Sequence, residues 1–293
     1  MNTTELKALI NLLDDPDEEI YLHVKDKLLS LGQEVIPVLE NAWELGDPFN
    51  NTVQTRIENI IHNIQFDTIS QELTLWAQLG STDLLKGAML VAKYQYPDLD
   101  EEKIQTRLQQ ITQDIWLELN DNLTALEKIK ILNHIIFDVH AFSGNTTNFH
   151  APQNSYINNV IESKKGNPLS LCILYAITAQ RLNIPIYGIN LPQHFILAYQ
   201  TDKNLTSIKE GEFDHNVLFY INPFSKGSIF GKKEIDVFLK QLNLEPQPSF
   251  YQPCSNLDII KRLLQNLISS YEKLGYPSKK NELQELFNSL SNL

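Results

Sequence analysis

The sequence predicts an α+β fold that is mainly helical, on three observations. From the start to about residue 125, apolar residues recur at helical spacing between breaks rich in Asp and Pro. A stretch from Pro168 to Leu182 is apolar on nearly every helical face, and three short runs of β-type residues follow it, at 184–189, 194–199 and 217–221. Beyond Leu257 the helical spacing returns and is broken once, at Gly275-Tyr276-Pro277.

The first helix runs from Leu6 to Leu13 and stops at Asp14-Asp15-Pro16-Asp17. Glu18 to Leu31 forms an amphipathic second helix ended by Gly32, and Val35 to Trp43 forms a third. This opening resembles a HEAT-type helical repeat, although no second copy at the period of about 40 residues follows Asp47-Pro48. The later segments 53–64, 69–79, 84–94 and 104–119 are helical by spacing but not repetitive, and Ile104, Leu108, Ile111 and Ile115 make one apolar stripe. That stripe, with Trp43, Trp76 and Trp116, is read as core packing.

Leu123 to Val139 is a further helix, and a polar, turn-rich stretch from Phe142 leads to Pro152. The apolar helix from Pro168 should then lie at the centre of its domain, with the three strands forming a small antiparallel sheet and residues 201–216 a longer loop. A short helix, Lys233 to Leu242, and a connector carrying Pro246, Pro248 and Pro253 lead to the tail. There, Leu257, Ile260, Leu263, Leu264, Leu267, Ile268, Tyr271 and Leu274 share one broad face before a second helix ends near Leu290, a hairpin that resembles a single tetratricopeptide-type unit. The expected domains are residues 1–122, 123–248 and 249–293.

Composition narrows the class. A chain of 293 residues with 3 Trp, 13 Phe, 11 Tyr and 42% hydrophobic residues can bury ordered cores. Its net charge of −12 argues against a nucleic-acid or anionic-membrane surface, which would need clustered Lys and Arg, and Lys164-Lys165, Lys232-Lys233 and Lys279-Lys280 are scattered pairs. Two cysteines, Cys172 and Cys254, make no disulfide framework. The first residues show no signal pattern, and no apolar run approaches the ~18 residues of a membrane span, so a cytoplasmic location is expected.

The chemistry-bearing residues lie between Pro152 and Phe224. Arg181-Leu182-Asn183-Ile184-Pro185 looks like the Arg-x-Leu-Gly-Ile-Pro end of the nucleophile helix in the transglutaminase-like, or papain-like, superfamily. Counting back from Pro185 along that resemblance puts the helix-opening Cys on Pro168 of Gly166-Asn167-Pro168, while His194 of Pro192-Gln193-His194-Phe195 sits where the superfamily's strand His sits and Asn222 of Asn222-Pro223-Phe224 where its third member, commonly Asp, lies. With Asn154-Ser155-Tyr156, a helical start and a helical tail, the chain resembles the bacterial SirB-type regulator family, which is related to a domain in one F-box protein group. The resemblance runs over essentially the whole chain; it departs from the family at Gln193, where Gly is common, and at Asn222.

A helix N-terminus lowers a thiol pKa and can hold an oxyanion, which is why a Cys suits that position. Pro168 cannot attack a carbonyl, although it and Asn167 suit a first helical position and an N-cap. The resemblance therefore implies a degenerate triad of Pro168, His194 and Asn222, with His194 and Asn222 expected to face the start of the Pro168 helix. Cys172, one turn deeper, is read as a buried apolar side chain, while Ser170 is offset by two residues and turned about 200° from Pro168.

The leading reading is a non-catalytic interaction or regulatory module that takes a protein or peptide in the old cleft, through Asn154, Tyr156, Asn167, His194 and Asn222. The competing reading is a hydrolase or acyltransferase using Ser170 or Cys172 with His194 and Asn222. No metal and no cofactor are expected: His23, His62, His134, His140, His150 and His215 form no ligand spacing, and no Gly-rich phosphate loop is present.

Overall fold

The structure, a computed structural model, describes residues 3–45, 51–201 and 216–291. These fall into two compact units, up to Glu72 and from Leu73 on. As expected, the architecture is mainly helical with one small antiparallel sheet.

The first unit contains α1 (Thr3–Asn11) and its 3-10 extension Leu12–Asp14, α2 (Glu18–Leu31), α3 (Ile36–Leu45) and most of α4 (Asn51–Gln78). The Asp17 carboxylate starts α2 by accepting from the Glu19 N–H at 2.9 Å, and Gly32, at φ +64°, ends it where a Cβ would strain the backbone. Leu13, Val24, Leu28, Leu39, Ile57 and Ile60 form its core. Arg56 ties α4 to that core, donating from Nη1 to the Leu13 and Asp15 carbonyls at 2.8 and 2.9 Å while its guanidinium lies 4.1 Å from the Tyr21 ring centre. The two helical segments expected at 53–64 and 69–79 are one helix, because no breaker separates them.

The second unit holds the end of α4, then α5 (Leu84–Lys93), α6 (Glu101–Glu118) and α7 (Ala125–Asn133), the last continuing as a π-helical turn over His134–Val139. The Ile104, Leu108, Ile111 and Ile115 stripe is buried as expected. Trp76 is also buried, donating from Nε1 to the Asp83 carbonyl at 2.8 Å. Trp43 and Trp116 depart from the core reading: they are 39% and 65% exposed, each lying outside the buried positions of its own helix.

β1 (Ser143–Gly144) pairs in parallel with β2 (Lys165–Gly166), and between them lie a 3-10 turn, Pro152–Asn154, and α8 (Ile157–Ser163). α9 (Pro168–Arg181) follows and is buried from Leu169 to Ala179, with Thr178 tolerated because its hydroxyl donates to the Leu174 carbonyl at 2.9 Å. The sheet has the order β3 (Ile186–Leu191), β4 (His194–Gln200), β5 (Val217–Asn222), β6 (Ser228–Phe230), all antiparallel. Of the loop expected at 201–216, residues 202–215, His215 included, lie outside the described residues.

The sheet separates two layers. Ile189, Leu191, Ile196, Ala198 and Tyr220 pack on Ile235 and Leu239 of α10 (Lys232–Gln241) and on Tyr251. Alternate residues, including Gly188, Phe195 and Leu197, point the other way. There the absence of a side chain on Gly188 admits the Phe195 ring, Ile259 and Cys254.

The tail is a helical hairpin of α11 (Asn256–Leu274) and α12 (Pro277–Ser291), started by a Ser255–Asp258 capping box and turned by Gly275 at φ +76°. α11 packs on α5 and β3, and Asn256 Nδ2 donates to the Ser81 and Thr82 carbonyls at 2.9 and 3.0 Å.

Candidate functional site

The start of α9 is a closed hydrogen-bond knot. Asn167 is the N-cap: its Oδ1 accepts from the Ser170 N–H at 2.9 Å, and its own N–H donates to Ser170 Oγ at 2.9 Å. The Ser170 hydroxyl also donates to the Asn167 carbonyl at 3.2 Å, so it is committed on both sides. Asn167 Nδ2 donates to Ser155 Oγ at 2.9 Å. Pro168 fills the first helical position and brings no N–H.

A second polar layer supports the first. The Asn154 carbonyl accepts from the Asn167 N–H at 3.4 Å. Asn154 Oδ1 accepts from Asn145 Nδ2 at 2.9 Å, and its Nδ2 donates to the Asn148 carbonyl at 2.6 Å. Asn154, Ser155, Asn167 and Ser170 are all at most 7% exposed. Paired in this way, they avoid the penalty of buried polar groups. Of the residues expected to bind a ligand, Asn154 and Asn167 thus meet in one network, and Tyr156 adjoins it, its hydroxyl 3.1 Å from that of Tyr271. Ser155 and Asn145 belong to the network but were not singled out; Asn154-Ser155-Tyr156 was the only signal.

Cys172 lies deeper in α9, wholly buried, its Sγ donating to the Phe195 carbonyl at 3.5 Å. Burial pushes its thiol well above the ordinary range.

His194 and Asn222 have no hydrogen bond to that knot among those of the described residues, although the turn that follows Asn222 packs on α9. Strand register sets His194 opposite Leu191, on the sheet face that α10 covers, and its ring lies 5.9 Å from that of Phe238. No hydrogen bond joins the His194 ring to another described residue. Asn222 Oδ1 instead accepts from the Phe224 N–H at 3.1 Å and caps the 3-10 turn Pro223–Ser225. That turn brings the Phe224 ring against Gly144, where a Cβ would meet it at 2.5 Å. Gln193 stands at φ +58° in the tight turn before His194, a conformation that Gly adopts without strain.

Burial first, and then the charge of Arg262, hold the His194 imidazole below its ordinary value. The unfolded chain therefore binds a proton near pH 6.5 that the folded chain refuses. Stability from this group is complete above that pH and is lost as the pH falls through it. Urea unfolding at pH 7.5 and pH 5 should show a smaller loss in His194→Gln than in the parent; equal losses would mean that His194 titrates as it does in the unfolded chain.

Among the described residues, no three His, Cys, Asp or Glu side chains are grouped to hold a metal ion, and no helix is long and apolar enough to cross a membrane.

A family model described as the transglutaminase-like superfamily matches residues 102–265, a narrower span than the whole chain. A UPF0162 protein of Xylella fastidiosa strain 9a5c is 28% identical over 210 residues, covering 68% of this chain and 70% of that protein. Another, from strain Temecula1, is 33% identical over 138 residues, 45% of this chain and 49% of its own length. F-box only protein 21 of Homo sapiens is 26% identical over 144 residues, 49% of this chain but 22% of that protein. No solved structure matches the chain.

Proposed function

The chain belongs to the transglutaminase-like superfamily, and on that premise we propose that it is a non-catalytic member of the SirB type, a cytoplasmic regulatory module that binds a protein or peptide. The observation that carries this reading is the sealed start of α9. In an acyl-transfer enzyme of this plan, that helix end would present a nucleophile and free N–H groups to a substrate oxygen. Here Pro168 occupies the first helical position, where the resemblance puts the nucleophile, and the Ser170 N–H and hydroxyl are both engaged by Asn167. The competing hydrolase reading needs Ser170 or Cys172 paired with His194; neither hydrogen-bonds its ring.

Thiol and serine probes test the catalytic half. At neutral pH, iodoacetamide should leave Cys172 of the folded protein unmodified and label half-buried Cys254 slowly, since burial and then Asp258 push that thiol up to about 12. A fluorophosphonate should leave Ser170 untouched. Rapid, selective labelling of Cys172 or covalent capture of Ser170 would overturn the non-catalytic reading. For the binding half, the purified chain is crosslinked in native extract: a partner captured equally by the parent and by Ser170→Ala and Cys172→Ala is the expected result, whereas capture abolished by either substitution would favour the enzyme.

A further inference from the structure

A concavity of about 410 Å³ opens between the segment Asn148–Tyr156, the end of α5 and the tail hairpin. Its volume lies within the range of small-ligand sites. Tyr96, Tyr156, Tyr271 and Tyr276 contribute to its lining. Lys279, Lys273 and His150 also line it, and no Asp or Glu does. In a chain carrying 36 acidic and 24 basic residues, such a lining is unusual.

The cation at its wall is held by neutral groups. Lys279 Nζ donates to Gln95 Oε1 at 2.5 Å and lies 5.2 Å from the centre of the Tyr271 ring. Tyr271 donates to the same Gln95 oxygen at 3.0 Å, and its hydroxyl is 3.1 Å from that of Tyr156. Lys279 has no carboxylate partner among the described residues. Two carboxylates of the hairpin are already engaged: Glu272 with Lys280 at 2.5 Å, and Glu282 with the Tyr94 hydroxyl at 2.6 Å. A half-buried ammonium held by a ring face and an amide oxygen retains its attraction for an anion.

We infer that this concavity is a binding site for a small organic anion, a carboxylate or phosphate monoester on a planar or aromatic body, with Lys279 taking the oxyanion and Tyr96 and Tyr276 flanking the ring. Binding there does not depend on whether α9 carries a nucleophile, so the site stands or falls apart from the non-catalytic reading above.

Calorimetric titration of the whole chain with benzoate, phenyl phosphate and inorganic phosphate tests it. At least one of the two ring-bearing anions should saturate, and more tightly than inorganic phosphate; which of them binds better identifies the oxyanion. Lys279→Met should weaken that binding by about tenfold or more. Arg262→Met, at a separate concavity lined by residues of α11 and α12, should leave it unchanged. Tyr276→Ala, at a residue 55% exposed, should weaken the ring-bearing anion without equally weakening inorganic phosphate, and it carries the test if Lys279→Met fails to fold. No saturation by either ring-bearing anion, undiminished binding to folded Lys279→Met, or equal weakening by Arg262→Met would each overturn the assignment.

Discussion

Alanine at Gly227 is expected to lower the unfolding free energy by about 3–5 kcal/mol. Gly227 sits at φ +71°, a left-handed conformation that costs an L-residue about 1–2 kcal/mol. Its added Cβ would fall 1.9 Å from Asn133 Oδ1 and 2.3 Å from Cγ, well inside contact distance. Asn133 cannot simply swing away. Its Nδ2 donates to the Gly227 carbonyl at 2.8 Å, and its Oδ1 accepts from the Tyr175 hydroxyl at 3.0 Å. Tyr175 is fully buried in α9, so moving Asn133 leaves that hydroxyl without its acceptor, a further ~1–3 kcal/mol. Denaturant midpoints at an unchanged m-value read the effect; a loss below about 0.5 kcal/mol would show that Asn133 relocates freely.

The second large effect is expected from Asn167→Ala, about 2–4 kcal/mol. Loss of an N-cap alone costs about 0.5–2 kcal/mol. Here the same side chain also serves Ser155, and both that hydroxyl and the Ser170 N–H lie in the interior. Asn167→Asp retains a cap oxygen but not the Nδ2 donor. It should therefore recover part of the loss, and a variant no better than alanine would mean that the bond to Ser155, rather than the cap, sets the stability of this corner.

Much of the fold was legible because it rests on local pattern. α9 was expected over 168–182 and spans Pro168–Arg181; strands expected at 194–199 and 217–221 are found at His194–Gln200 and Val217–Asn222. Apolar run length and the Asn-Pro start were sufficient there. The three-residue β6 and the two-residue β1 and β2 escaped, since pieces so short carry no periodicity and exist only through their partners. Trp116 lies outside the core it was read into because its helix buries Ile111 and Ile115 and leaves position 116 off that face.

The candidate site was legible only in part. Asn167 stood out as an N-cap before Pro168, whereas Asn154 and Tyr156 entered only through the family resemblance. Their partners did neither: the Tyr156–Tyr271 and Gln95–Lys279 contacts span 115 and 184 residues, and only the packing of the tail hairpin creates them. The position of the His194 ring is likewise decided by strand register and by α10, which follows it in the chain.

The π-helical turn over His134–Val139 sets the phase of the helix that precedes it. Such a turn holds one residue more than the α-helix it interrupts, as a single-codon insertion would leave it. Ile135, Ile136 and Phe137 all reach the interior in succession. Deleting one of the six residues would restore regular helical spacing but rotate everything on its N-terminal side by about 100°. Asn133, immediately upstream, would then be carried away from Gly227 and Tyr175. With Asn133 gone a Cβ at position 227 would lose its nearest obstacle, but the φ of +71° would still favour glycine there.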